Sequence, residues 1–283
     1  MVTFRRAGIL ALALALVVPG SGTAAAAPRR IVSLSPTATE DLFAIGAGKQ
    51  VVAVDNDSNY PPTAPQTKLS GYTPNAESIA AYKPDLVVIS NDLGGIRKAL
   101  ARLHIRVLLE PAAATLADAY GQIEALGAAT GHARQAASLV ARMRRQIAAI
   151  AAALPRPSRP LTVFHELDPT LYSATSKTFI GRIYALLGLK DIADAARSGN
   201  GYPQLSSEYV IGARPDLIVL ADGQTPAQVA KRSGWSSIPA VQQHDILSVD
   251  PDLASRWGPR IVDFVRVVAG RVKAIVTTGG RHA

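Results

Sequence analysis

From residue 30 onward the hydrophobic positions fall into short unbroken runs separated by stretches of helical period. Residues 30–34, Val51–Val54, Leu86–Ile89 and Arg106–Leu109 are brief runs rich in Val, Ile and Leu, the pattern of strands covered on both faces. Between them, helices are predicted over 36–45, from near Pro74, and over 96–103, with Gly46 and Gly48 closing the first. Residues 55–65, centred on Tyr60-Pro61-Pro62, are turn-rich. This strand–helix alternation predicts a parallel, helix-covered sheet.

The pattern changes at Leu116. No strand signal occurs from there to Leu154, and Gly131 divides the stretch. In its second half Leu139, Val140, Met143, Ile147, Ile150, Ala151 and Leu154 share one helical face, while Arg142, Arg144, Arg145 and Gln146 point away. A helix over 132–154 would be about 35 Å long at 1.5 Å per residue, the span of a small domain. Pro155, Pro157 and Pro160 end it, and a strand over 161–165 restarts the alternation, which runs on to Lys273. The predicted organisation is a leader over 1–26, a first α/β lobe over 27–130, a connecting helix over 131–156 and a second lobe over 157–283.

An internal repeat relates the lobes. Glu77 to Ser90 reads ESIAAYKPDLVVIS and Glu208 to Ala221 reads EYVIGARPDLIVLA: a Glu, a short helix, a basic residue, Pro-Asp-Leu and a buried strand. Each lobe is expected to contain this unit once.

Composition narrows the function. With Cys 0 among 283 residues, disulfide scaffolds, zinc ribbons, iron–sulfur centres, thiol nucleophiles and a cysteine-linked lipid anchor are excluded. Arg5 and Arg6, the apolar run Ala7 to Val18, the Pro19-Gly20 break and the following alanines read as a cleavable export signal. The apolar run is shorter than the ~20 residues of a bilayer span. Removing the leader lowers the net charge from +9 to +7, and an exported chain is not expected to meet nucleic acid.

No nucleophile elbow, phosphate loop, dinucleotide fingerprint or His-Glu-x-x-His occurs. His165, Glu166 and Asp168 are the nearest approach to a metal constellation, yet a strand would turn the first two to opposite faces. His104, His132, His244 and His282 read as scattered surface residues. Glu77 and Glu208, in the first turns of equivalent helices, either favour the helix dipole, worth about 0.3–1 kcal/mol, or form one docking point per lobe. Tyr60, Tyr72, Tyr202 and Trp257 lie in turn-rich segments suited to lining a cleft between lobes. In the loop PDLASRWGPR, Arg256 either offers a guanidinium fork to a ligand or pairs with Asp252 at the surface.

Taken in order, RIVSLSPTATEDLFAIGAG, SNYPP, ESIAAYKPDLVV, YPQLSSEYVIGARPDLIV and SRWGPRIVDF resemble the substrate-binding proteins of ABC importers, specifically the iron-chelate and cobalamin branch. The resemblance covers residues 30–275. It implies two Rossmann-like lobes with parallel sheets, joined by a single long α-helix that limits closure. It implies a non-enzymatic, monomeric receptor holding a metal chelate (ferric siderophore, haem or corrinoid) as cargo rather than cofactor. Tyr60, Tyr72, Tyr202, Asp252 and Arg256 would then serve ligand binding, and Glu77 and Glu208 docking on a membrane permease. Where cobalamin-binding relatives carry further aromatics, this chain has Asp57, Gly71 and Ser90. The alternatives are a secreted metal-dependent hydrolase using His165, Glu166 and Asp168, or a chelate scavenger or sensor without a permease.

Overall fold

The computed structural model describes residues 26–196 and 199–279. Residues 1–25 of the export signal expected over 1–26, and His282, lie outside the described residues. The first half contains β1 (Ile31–Leu34), α1 (Pro36–Ala44), β2 (Val51–Val54), α2 (Ala76–Ala80), β3 (Leu86–Ile89), α3 (Ile96–Arg102), β4 (Arg106–Leu109), α4 (Leu116–Thr130) and α5 (Ala133–Ala152). The second contains β5 (Leu161–Glu166), α6 (Phe179–Leu186), β6 (Leu189–Asp191), α7 (Ser207–Ala213), β7 (Leu217–Leu220) and α8 (Pro226–Ala230). It closes with α9 (Pro239–Gln242), β8 (Ile246–Ser248), α10 (Pro251–Ser255) and α11 (Ile261–Gly279).

The strands form two four-stranded sheets, ordered β2-β1-β3-β4 and β6-β5-β7-β8, with every pair parallel. The two orders are the same once β5 is set on β1, so the repeat read from the sequence is a repeat of topology. Two features of the Lys/Arg-Pro-Asp-Leu segment explain its recurrence. Lys83 and Arg214 both adopt left-handed backbone, with φ of 49° and 50°, turning the chain out of α2 and α7. The aspartates then staple the entry to the central strand. Asp85 accepts the backbone N–H groups of Arg29 and Arg30, and Asp216 accepts that of Thr162 and both terminal nitrogens of Arg159.

Three apolar clusters fill the molecule. Alternation along the strands sends Val32, Val87 and Ile89 to the outer face of the first sheet, and Phe164, Ile218 and Leu220 to the outer face of the second. The inner-face residues Ile31, Leu86, Val88, Val163, Leu217 and Val219 enter one core that spans both lobes. Helix α5 supplies the middle of it through Ala136, Leu139, Val140, Met143 and Ile147, each larger side chain contributing about 2 kcal/mol of burial. Gly131, at φ 81°, turns α4 back onto α5, and α11 packs on α5 from the second half.

Local differences from the sequence reading concern element ends. The helix expected near Pro74 starts at Ala76, because the Asn75 side chain caps it by accepting the Ser78 N–H. The segment expected as a loop before the last helix contains the helical turn α10, capped by Asp250, and α11 begins at Ile261 rather than Pro259. Strand β5 runs one residue further, to Glu166.

The Asp216 staple yields a stability prediction. Burial raises its carboxyl, but the Arg159 and Thr162 bonds overcome this and hold it below the usual 3.8. Its contribution is therefore present above pH 3.8 and lost as pH falls through the folded-state value. Asp216→Ala should cost about 1–2 kcal/mol in urea unfolding at pH 7, chiefly from the lost bonds to Thr162, since Arg159 is largely exposed, and the difference should shrink in acid.

Candidate functional site

In a parallel sheet all carboxyl ends lie on one edge, and the loops leaving that edge form the ligand face of α/β proteins. Here the loops from the two sheets meet each other. Asn59, in the loop after β2, donates to Asp252 on α10 at 2.6 Å. Trp257 donates its indole N–H to Gln122 of α4 at 2.8 Å. The Arg256 guanidinium reaches Glu40 of α1 at 2.9 Å and the Asp57 carbonyl at 3.0 Å. Arg260 also binds Glu40, at 2.6 and 2.9 Å, and lies 4.3 Å from the Tyr60 ring centroid. Beside these contacts a cavity of about 410 Å³ is lined from the first half by Phe43, Ala44, Tyr60 and Pro61, and from the second by Pro259 and Asp263.

The expected site residues land as follows. Tyr60, Tyr72 and Tyr202 are exposed, Tyr72 over 73% of its surface. Tyr202 lies in a short antiparallel ladder between residues 171–175 and 201–205, bridged at Tyr172 and Gln204. That register sets Tyr172, a residue the sequence reading missed, diagonal to Tyr202 on the same face, a spacing aromatic rings can span. Trp257 is half-buried, with its indole N–H on Gln122 of the first lobe.

Arg256 and Asp252 do pair, at 2.9 Å, but not at the surface, since Arg256 is only 7% exposed. Its fork is occupied by Glu40, Asp252 and the Asp57 carbonyl. Glu40 and Arg260 had drawn no notice in the sequence. No signal in the sequence marks them; in the structure Thr37 through Leu42 are all buried, so the Glu40 carboxylate finds its partners inside. Its partners lie 216 and 220 residues away.

Glu77 and Glu208 are exposed, each the second residue of its helix, behind the caps Asn75 and Ser206. Neither forms an ion pair among the described residues. The Glu208 carboxyl is held below its ordinary value by its own backbone N–H and the Ser206 hydroxyl.

The hydrolase trio does not converge. His165 points into the shared core, where its Nδ1 is 2.6 Å from the Tyr184 hydroxyl, and burial pushes its pKa down to about 4. Glu166 points to the opposite face and binds Arg232 and Gln224; burial raises its carboxyl despite the arginine. Asp168 accepts the Thr170 N–H and hydroxyl at the strand end. His104 and His244 are exposed and turn the chain with left-handed backbone at φ 58° each, and His132 hydrogen-bonds the Thr130 carbonyl.

Residues 31–253 match the family described as periplasmic binding protein. The chain belongs to this family. Among its relatives, the uncharacterized ABC transporter substrate-binding lipoprotein YvrC of Bacillus subtilis is 33% identical over 251 residues, 86% of this chain and 79% of YvrC. A cobalamin-binding protein of Halobacterium salinarum is 32% identical, over 83% of this chain and 67% of its own length. The crystal structure of a possible iron-binding, periplasmic solute-binding protein from Staphylococcus epidermidis superposes with a TM-score of 0.74 at 27% identity, covering 87% of this chain and 98% of that one.

Within this periplasmic binding protein, Gly71 has a steric reason to lack a side chain. A Cβ there would come within 2.8 Å of the Leu34 carbonyl oxygen and 2.9 Å of an Asp55 carboxylate oxygen, itself buried. An aromatic at 71 is thus incompatible with this backbone. Ser90 and Asp57 lack that constraint, and the Asp57 carbonyl serves Arg256. Gly71→Ala should destabilise the protein by about 1–3 kcal/mol, visible as a melting temperature several degrees lower.

Proposed function

We propose that this protein is the extracytoplasmic receptor of an ABC importer and captures a metal chelate between its lobes. The chelate is a ferric siderophore, haem or a corrinoid, and it is cargo rather than a cofactor. The observation that carries the reading is the meeting of the two carboxyl-end sheet edges, bearing exposed tyrosines from both lobes, in a chain 32% identical to a cobalamin-binding protein. Tyrosines at such an edge supply flat apolar area with a polar tip, suited to a large conjugated or catecholate ligand. The leader over residues 1–26 serves export, and the receptor works as a monomer.

In this reading Tyr60, Tyr72, Tyr172 and Tyr202 make the contacts with cargo. Asp252 and Arg256 hold the walls that carry them, since the guanidinium is already committed to Glu40. Glu77 and Glu208, exposed at equivalent places and without an ion pair among the described residues, are the docking points for arginines or lysines of a permease.

Two experiments test this. In a thermal-shift panel of cobalamin, precursor corrinoids, haemin and ferric siderophores, one class should raise the melting temperature. A ligand at ~100 times its dissociation constant adds ~2.7 kcal/mol, and silence across the panel would sink the cargo assignment. For the class that binds, the double variant Tyr172→Ala/Tyr202→Ala should weaken affinity at least ~10-fold, the loss of about 1.4 kcal/mol, while leaving the unliganded melting point nearly unchanged. Separately, Glu77→Lys/Glu208→Lys should abolish uptake in cells without altering affinity for the same ligand. Uptake that survives the double reversal would remove the docking role.

A further inference from the structure

The polar contacts between the lobes converge on one buried carboxylate. Glu40 has a 1% exposed side chain, and both of its oxygens are taken by the second lobe. Arg256 Nη1 and Arg260 Nη2 donate to Oε1 at 2.9 and 2.6 Å, and Arg260 Nε donates to Oε2 at 2.9 Å. Around this centre lie reciprocal contacts. Arg256 Nη2 reaches the Asp57 carbonyl at 3.0 Å and Asp252 at 2.9 Å, and the other oxygen of Asp252 accepts from Asn59. The Tyr60 ring covers the outer side of Arg260.

No second anion stands ready to replace Glu40 at the buried end. Asp41 is its chain neighbour and is also buried, but one of its oxygens has no hydrogen-bond partner. Burial first, then the charges of Glu40 and Glu110, push the Asp41 carboxyl well above its usual range, which disfavours a second charge there. Asp250 is exposed and 3.9 Å from Arg260, too far for a hydrogen bond. Removing one member of a buried ion pair leaves the other charge uncompensated in a low dielectric. With Glu40 neutralised, Arg256 keeps Asp252 but Arg260 faces only the more distant Asp250, so the seam loses the anion that joins both arginines to α1.

We propose that Glu40 is the latch between the lobes: a positioning residue that fixes the two tyrosine-bearing walls in one register and whose rupture sets the rate of cargo release. The release half of this proposal rests on the receptor reading above; the register half does not. Tyr60 joins the latch to the cargo face, because its ring stacks on the arginine that Glu40 holds.

The absence of cysteine makes a direct test possible in the full chain. Lys98→Cys on α3 and Ala227→Cys on α8, both at exposed positions, would carry spin labels on opposite lobes. The otherwise unaltered protein should give one narrow interlobe distance, and Glu40→Gln a broader and longer distribution. Glu40→Asp, which keeps the charge, should return the distribution part of the way. Arg260→Gln repeats the test from the other lobe and replaces Glu40→Gln if circular dichroism reports that variant unfolded.

In parallel, dissociation of cyanocobalamin and of haemin is timed by stopped flow. For a probe that the unaltered protein binds, Glu40→Gln should speed dissociation about tenfold or more with little change in association, as interface changes act mainly on off-rates. Unchanged distances in both Glu40→Gln and Arg260→Gln overturn the latch, whether or not either probe binds. Changed distances with unchanged dissociation of a bound probe overturn its role in release. Changed distances when neither probe binds uphold the latch while removing haem and cobalamin from the cargo assignment.

Discussion

Ala136, Leu139, Val140, Met143 and Ile147 lie on one side of α5 and belong to a single core that also takes in β1 and β3 of one sheet and β5 and β7 of the other. Two sheets of four short strands each expose two apolar faces. The outer faces are covered locally, but the inner ones need a common partner. A 20-residue helix, about 30 Å long, provides it, with α4 and α11 packed alongside. The carboxyl edges of both sheets can meet across a narrow polar seam because this apolar packing fixes where each sheet stands. The seam itself is hydrophilic, as interfaces between domains of one chain commonly are.

Much of the scaffold was legible in the chain. Strands read as unbroken Val, Ile and Leu runs, and Val51–Val54, Leu86–Ile89 and Arg106–Leu109 have the predicted limits, although β4, at the sheet edge, is exposed at Arg106 and only partly buried beyond it. The repeated Pro-Asp-Leu gave away the equivalence of β3 and β7 because the aspartate has a local task, capping the entry to the adjacent central strand. Alternation placed His165 and Glu166 on opposite faces of β5, and that single geometric fact removes the trio as a metal site. Helix starts were less legible where a side-chain cap rather than proline sets the boundary, as Asn75 does.

The seam was not legible, for a physical reason. Glu40 finds its partners more than two hundred residues downstream, and no periodicity in α1 announces which charges will reach it. Arg256 drew attention as an available cation, whereas folding consumes its donors on Glu40, Asp252 and a backbone carbonyl. Tyr172 escaped notice because its pairing with the segment of Tyr202 is a ladder with one bridge, too short to leave alternation in the sequence. Gly71, by contrast, was visible as a departure from aromatic-bearing relatives, and the close approach of the Leu34 carbonyl and Asp55 supplies its cause.

The matching left-handed residues Lys83 and Arg214 carry a strained conformation that neither lobe needs for contact with the other, yet both halves have it at the same point of the same unit. The repeat also carries the helix starts bearing Glu77 and Glu208, whereas the loops leading to them share only a Tyr-Pro, at Tyr60-Pro61 and Tyr202-Pro203, and differ in length. The matched carboxylates therefore stand on a common frame, while the loops beside them are free to differ.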